Sequence, residues 1–340
     1  MSEKYYGKLK LLCKIIDGGG NMDPITHGVI GLAISAFSGN PVALTNPLCI
    51  GCAIGAMAPD IDIIAKAKDD YVYLKHHRGI SHSIPALIGL AAVITAGLSL
   101  FFKEFHFAQV FLWTFIGCFS HTFFDILNSY GAKLFMPFTK KKSMVGILML
   151  YDPVITILSF LLIFVKEKSM LFYTNIILTF VLYIGFRFAM KYHAKKIVKE
   201  YYHHGYKVID VNVLPALMAF HKWDFIVNTN SHHVVGQINP FTKKITERAK
   251  FKKPQEETVA LFKETNIGKY FREFTPIYHV VAYEEMDSIV LKSIDLRYYL
   301  RNNFMHHATV VYDGEQNIIE SFFHPYSIHK NIPVIEGEPS

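Results

Sequence analysis

The sequence predicts a mostly α-helical, polytopic membrane domain followed by a small β-rich cytoplasmic domain. Three observations carry that expectation: uncharged apolar runs up to about Met190, lysines gathered at alternate ends of those runs, and a change after Tyr192 to short alternating segments. The divisions expected are an N-terminal extension over 1–21, a membrane-embedded domain over 22–190, and a basic linker helix with a β-rich domain over 191–340.

Ile84–Phe102 runs nineteen positions without a charge, and Phe107–Leu127, Val145–Val165 and Leu171–Met190 are similarly apolar. Each is long enough to span a bilayer core, which takes roughly 20 residues of helix. Gly28–Phe37 and Pro41–Ala58 are shorter and are split by Ser38-Gly39-Asn40-Pro41, which suits a tilted hairpin or a re-entrant pair. The expected count is therefore about six apolar segments, the first two short.

The formal net charge of +7 comes largely from Lys and Arg beside these segments. Lys66, Lys68, Lys75 and Arg78 precede the Ile84 run; Lys133 and Lys140–Lys142 lie between the next two; Lys191, Lys195, Lys196 and Lys199 follow the last. The opposite loops carry only Lys103, Lys166 and Lys168. By the positive-inside rule the richer set, and both termini, are cytoplasmic. Juxtamembrane anchoring accounts for this charge more simply than nucleic-acid binding, so the expected place is the inner or plasma membrane, multi-pass, with no nucleic acid as partner.

Cys13, Cys49, Cys52 and Cys118 lie mostly in apolar stretches, and Cys49 and Cys52, without a neighbouring His or basic residue, read as helix packing rather than a redox pair. Residues 1–21 read either as a short amphipathic surface helix or as an extension ahead of an initiator at Met22. After Tyr192, alternation over Tyr206–Val213, Phe225–Val227, His232–Ile238, Ile277–Ala282, Ser288–Ser293 and Ala308–Tyr312 predicts strands. Lys191–Tyr202 continues the last apolar run as a basic amphipathic helix. The pairs His203/His204, His232/His233 and His306/His307 read as surface or strand residues, because neighbours on a strand point to opposite faces and do not chelate.

Ionisable residues next to the apolar runs fall into a pattern. His27, Asp60, Asp62, His76, His77, His82, His121 and Asp125 all stand at segment ends that the lysines assign to one membrane face. His121 and Asp125, four apart, stack on one side of a helix about 6 Å apart along its axis. Asn128 and Ser129 follow on nearly the same side. Asp60 and Asp62 follow Pro59, which releases them from a helical ladder, and paired carboxylates at a membrane edge repel unless a cation lies between them. Arg78 suits a phosphate or carboxylate, and Ser81 or Ser83 can cap the next helix. Asp152, before Pro153, can complete a metal shell, act as a base or pair with Arg187. A donor set of His and Asp without thiolate suits Zn²⁺, with Mn²⁺ as the alternative, in a hydrolytic centre. A hydrogen-bonded network without metal is the plain alternative.

The motifs H-G-x-x-G at His27–Gly31, P-D-I-D at Pro59–Asp62, H-R-G-I-S-H-S at His77–Ser83 and H-x-x-x-D at His121–Asp125 resemble those of a known family over roughly residues 22–190. That family is the membrane-bound metal-dependent hydrolases, also described as LexA-binding, inner membrane-associated hydrolases, in turn similar to zinc-dependent phospholipases C and S1/P1-type nucleases. The resemblance implies His27, Asp60, His82, His121 and Asp125 as metal ligands, Asp62, His76 or His77 as further ligands or acid/base groups, and Arg78 on a substrate phosphate. It also implies hydrolysis of an anionic phosphoester, lipid or lipid-like, by metal-activated water. The second helical pair of the similar enzymes, H-x-x-x-E, has no copy after Asp125, so the number of ions stays open. The competing expectation is a non-catalytic membrane protein with a structural polar cluster and a partner-recruiting C-terminal domain.

Overall fold

A computed structural model describes residues 24–61, 78–217, 219–285, 288–300 and 303–336. Asp62, His76 and His77, the lysines at 66, 68 and 75, and the 1–21 extension lie outside the described residues. The helices are α1 (Pro24–Ile34), α2 (Pro47–Met57), α3 (Ile84–Ser99), α4 (Phe107–Leu127), α5 (Pro153–Phe164) and α6 (Met170–His203), followed in the C-terminal half by α7 (Glu256–Glu264) and α8 (Asn266–Phe274).

The expectation of about six apolar segments, four of them long enough to span, is corrected. Among the described residues two helices, α4 and α6, are long and apolar enough to cross a membrane; the remaining apolar helices have 10–17 residues. At about 1.5 Å of rise per residue, even the longest of these falls short of a hydrocarbon core of about 30 Å. Proline sets several of the limits. Pro47 opens α2 behind Asn46, whose side chain accepts from Leu48 N, and Pro153 opens α5 behind the cap Asp152. The run Val145–Val165 is helical only from Pro153, because residues 145–148 lie as irregular chain on the end of α4: Val145 N donates to Ile126 O at 2.7 Å and Ile147 N to Leu127 O at 2.8 Å. That stretch is apolar because it is buried in protein, with Ile147 and Leu148 in the core.

Helices α1, α2 and α4 approach one another through small residues. A Cβ on Gly117 of α4 would lie 2.1 Å from Cys52 O of α2, one on Gly55 would lie 2.4 Å from Thr114 O, and one on Gly31 of α1 would lie 2.6 Å from Cys52 O. Glycine at such crossings lets backbones meet where apolar burial gives helices in lipid little reason to associate. Cys49, Cys52 and Cys118 are buried and unbridged at this junction. By contrast α6 turns Leu171, Ile177, Leu178, Val181 and Leu182 outward. It then runs unbroken past the apolar section and packs Ala194, Val198 and Tyr202 against the first sheet.

The C-terminal half is larger than the small β domain expected. Its first sheet is an antiparallel meander of β1 (Val208–Pro215), β2 (Trp223–Thr229), β3 (His232–Asn239) and β4 (Lys244–Lys252). The second has the order β11-β10-β9-β6-β5, from β5 (Tyr278–Glu285), β6 (Ser288–Asp295), β9 (His307–Tyr312), β10 (Ile318–His324) and β11 (Ile332–Pro333), with a short hairpin of β7 (Tyr299–Leu300) and β8 (Asn303–Phe304) between. Phe262, Ile267 and Phe271 of α7 and α8 cover the second sheet. The two sheets meet through Ile226, Val235, Ile294 and Leu296.

Candidate metal centre

The close crossing of α2 and α4 decides where the acidic and imidazole groups fall. His121, about one turn beyond Gly117 and fully buried on α4, has its Nδ1 2.7 Å from the carbonyl of Ala56 near the end of α2. A carbonyl only accepts, so Nδ1 carries the proton and the Nε2 lone pair points away from the helix backbone. Just beyond Ala56 the chain tightens into a 3-10 turn over 58–61 and delivers Asp60, whose Oδ1 is 3.4 Å from His121 Nε2. One turn along α4, Asp125 Oδ2 lies 3.7 Å from the same nitrogen.

His27 enters from α1, stacked on His121 with ring centroids 3.8 Å apart. His82 enters from a 3-10 turn, Ile80–His82, that precedes α3; its Nε2 lies 3.1 Å from His121 Nε2, 3.4 Å from Asp125 Oδ2 and 3.6 Å from Asp60 Oδ1. His27, Asp60 and His121 offer donor atoms all within 4.8 Å of one another, and so do His82, His121 and Asp125. The structure thus brings together His27, Asp60, His82, His121 and Asp125, residues from four separate stretches of chain, in a buried cluster.

Local chemistry fits a divalent cation. His27 is 1% exposed, yet among the described residues neither of its ring nitrogens has a hydrogen-bond partner. The His121 lone pair faces two carboxylate oxygens and another imidazole nitrogen, an arrangement of electron pairs that a cation relieves. Backbone and side-chain contacts fix the donors from behind, as outer partners do around bound metals. Asn128 Nδ2 donates to Asp125 Oδ1 at 3.0 Å, and Ser81 Oγ lies 3.0 Å from His82 Nδ1.

Geometry gives two of the expected site residues other partners. Arg78 does not present its fork to an open space: Nε meets Asp125 Oδ2 at 2.8 Å and Nη2 donates to Asp125 Oδ1 at 2.9 Å, so it orients a candidate ligand. It does so from a left-handed backbone with φ of 59°, a conformation of order 1–3 kcal/mol unfavourable for a bulky residue. Asp152 stands outside the cluster. Its Oδ1 accepts from Val154 N and Ile155 N at the start of α5, and its Oδ2 accepts from Tyr183 at 2.6 Å. Arg187, its expected partner, donates instead to the carbonyls of Ile147 and Phe220 and lies against Trp223. Neither serine caps α3, since Ser83 Oγ turns back to Ile80 O at 2.7 Å.

Sequence reasoning missed the groups that surround the centre on its C-terminal side. Tyr130 stacks on Tyr298, centroids 4.5 Å apart, and Tyr298 donates to Ser129 O at 2.9 Å. Arg297 beside it pairs with Asp295, buried, at 2.8 Å. The one available sequence signal was Asp295-Leu-Arg297-Tyr-Tyr at the end of a predicted strand, where charges and aromatics replace alternation.

Fold and site together define a helical membrane protein with a buried histidine and aspartate centre, joined to a C-terminal α/β domain. Residues 22–194 match the model of the YdjM inner membrane protein, and the chain belongs to that family. Residues 257–332, from α7 to β11, match the YfhP C-terminal alpha/beta plait domain. A relative over nearly the whole length is "Uncharacterized protein YfhP" of Bacillus subtilis (strain 168), 28% identical over 312 residues, covering 89% of this chain and 94% of the relative. No solved structure matches the chain.

Proposed function

We propose that the protein is a membrane metal-dependent hydrolase acting on a phosphoester of a lipid or lipid-like substrate at the cytoplasmic interface. The observation that carries the reading is the convergence of His27, Asp60, His82, His121 and Asp125 with the His121 lone pair turned into the cluster. This set contains nitrogen and carboxylate oxygen without thiolate, which suits Zn²⁺ or Mn²⁺. An ion held by these residues supplies water of lowered pKa and offsets charge on a phosphoryl oxygen. The protein's own part is positioning: Arg78 and Asn128 hold Asp125, Ala56 holds the His121 tautomer, and the α2–α4 crossing keeps Asp60 against both imidazoles.

A lipid is favoured by what lies beside the centre. An apolar cavity of about 340 Å³ opens between α1, α4, α5 and α6, and its wall includes Ile30, Phe37, Phe124, Leu158, Leu162 and Phe180. Ile30 is one turn from His27 and Phe124 adjoins Asp125, so an acyl or isoprenoid chain seated there has its head near the cluster. The lysines at 133, 140–142, 191, 195 and 196 support a cytoplasmic side for that head by the positive-inside rule.

A second reading, a structural polar cluster without turnover, is favoured by the Arg78–Asp125 pair, which neutralises one carboxylate without any ion. Detergent-purified protein separates the two. The hydrolase reading expects bound divalent metal and metal-dependent release of phosphate or alcohol from a short-chain phospholipid or an aryl phosphoester. Full activity in the Asp60→Ala, Asp125→Ala double variant overturns it.

A further inference from the structure

The C-terminal domain reaches the candidate metal centre through a line of contacts that ends on Asp125. Tyr298, between β6 and β7 and 2% exposed, donates its hydroxyl to Ser129 O at 2.9 Å. Its ring lies on that of Tyr130, with centroids 4.5 Å and planes 17° apart. The Arg78 guanidinium in turn lies 4.7 Å from the Tyr130 ring centroid. Asp125 takes the edge of that guanidinium, through Nε and Nη2, which leaves its face for an aromatic ring to steady.

Tyr130 also reaches Asp125 through its backbone. Its N donates to Asn128 Oδ1 at 2.8 Å, and Asn128 Nδ2 donates to Asp125 Oδ1 at 3.0 Å. One residue therefore stands behind both side chains that grip this carboxylate, behind Arg78 by its ring and behind Asn128 by its amide. Further along the same loop, Lys133 N donates to Arg78 O at 3.1 Å. The Lys133 ammonium pairs with Glu273 of α8 at 3.3 Å, a partly exposed link that adds little by itself.

Tyr298 is anchored from its own domain. Met305 N donates to its carbonyl at 3.1 Å, and the Arg297 guanidinium, paired with Asp295 at 2.8 Å, lies 5.0 Å from its ring. Arg78 needs such backing, because it combines a left-handed backbone with a charge that is 2% exposed. A buried ion pair is worth having only while its geometry holds, and a guanidinium that swings aside strands the carboxylate.

We propose that Tyr298 and Tyr130 are positioning residues of the metal centre, so that the C-terminal α/β domain completes an ion site whose candidate ligands all lie in the membrane domain. The inference rests on metal binding at that centre and not on hydrolysis. Tyr298 holds the Tyr130 ring, the ring holds the Arg78 guanidinium, and the guanidinium sets Asp125 Oδ2 against His82 and His121. Coupling between two sites is reciprocal, so an ion at the centre also tightens the hold on Tyr298.

The test is Zn²⁺ affinity of the full-length protein in detergent, measured by chelator competition. Tyr298→Phe keeps the ring and is expected to bind nearly as wild type. Tyr298→Leu removes the ring and is expected to weaken binding roughly tenfold, the lower end of what losing an outer partner of a ligand costs. In an Arg78→Lys background the same Tyr298→Leu change is expected to add little, because its effect runs through the guanidinium fork, whereas independent changes multiply. A loss of equal size in both backgrounds, or in neither, overturns the proposal. Amide exchange on wild type covers the case in which Tyr298→Leu does not fold. Zn²⁺ is expected to slow exchange of the Met305 amide, which bonds the Tyr298 carbonyl, more than that of the β2 amides, and equal slowing overturns the proposal. Wild-type protein that takes up no Zn²⁺ fails the metal-centre reading itself, and the proposal with it.

Discussion

Arg78 closes both arms of its guanidinium on Asp125, Nε to Oδ2 at 2.8 Å and Nη2 to Oδ1 at 2.9 Å, and both residues are buried. The pair fixes one carboxylate of the candidate metal centre, whose Oδ2 also faces His82 and His121. Arg78→Lys keeps the charge and loses the fork. Metal affinity of this variant is expected to fall roughly ten- to a hundredfold, the usual effect of removing a group that orients a ligand. Competition against a fluorescent chelator measures it, and unchanged affinity would show that Arg78 does not position Asp125.

Asp152 offers the opposite expectation. It caps α5 and accepts from Tyr183, so Asp152→Ala is expected to cost about 1–3 kcal/mol of stability while leaving metal content untouched. Thermal unfolding in detergent paired with elemental analysis reads both. A stable variant that has lost its metal would return Asp152 to the site.

The glycine crossings are where the fold and the site depend on each other. Gly117→Ala places a methyl 2.1 Å from Cys52 O, a backbone atom that cannot turn aside. The expected loss is about 1–3 kcal/mol from overpacking, with reduced metal retention because α2 and Asp60 shift away from His121. A variant as stable and as metal-loaded as wild type would refute this view of the α2–α4 contact.

Buried histidines make the second sheet acid-sensitive. Burial lowers His279, His306 and His307, and likewise His233 on the first sheet, to about 4. The unfolded chain therefore takes up these protons first, so their contribution is complete above about 6.5 and is lost as pH falls toward 4. Asp224, raised by burial to about 6, acts in the other direction, losing stability as pH rises through that value. Four imidazoles outweigh one carboxylate. Amide exchange in β6 and β9 is expected to quicken between pH 7 and pH 5 beyond its intrinsic pH dependence; slower exchange would contradict the assignment.

The motifs at His27, Asp60, His82, His121 and Asp125 were legible because each sits at the end of an apolar run, where a charge has no packing reason to be. The strands from β1 to β3, and β5, β6 and β9, were legible from alternation. Span counting failed where apolarity meant burial in protein rather than in lipid, as at Val145–Leu150, which lines the end of α4. Strand β4 escaped because Lys244, Glu247, Lys250 and Lys252 hide its pattern on a largely exposed sheet edge. The Arg78–Asp125 pairing was not legible for a different reason: a guanidinium near a candidate phosphate site and one gripping Asp125 look identical in sequence. Tyr130, Tyr298 and Arg297 meet only through tertiary packing across some 170 positions, a relation no local spacing encodes.

Elemental analysis of the full-length protein purified in mild detergent, beside its His121→Ala, Asp125→Ala double variant, tests the central claim most directly. The account predicts a divalent transition metal in stoichiometric amount in the wild type and its loss in a double variant that keeps its helical and sheet content. Wild-type protein that carries no divalent ion, and takes up none when titrated with Zn²⁺ or Mn²⁺, would contradict it.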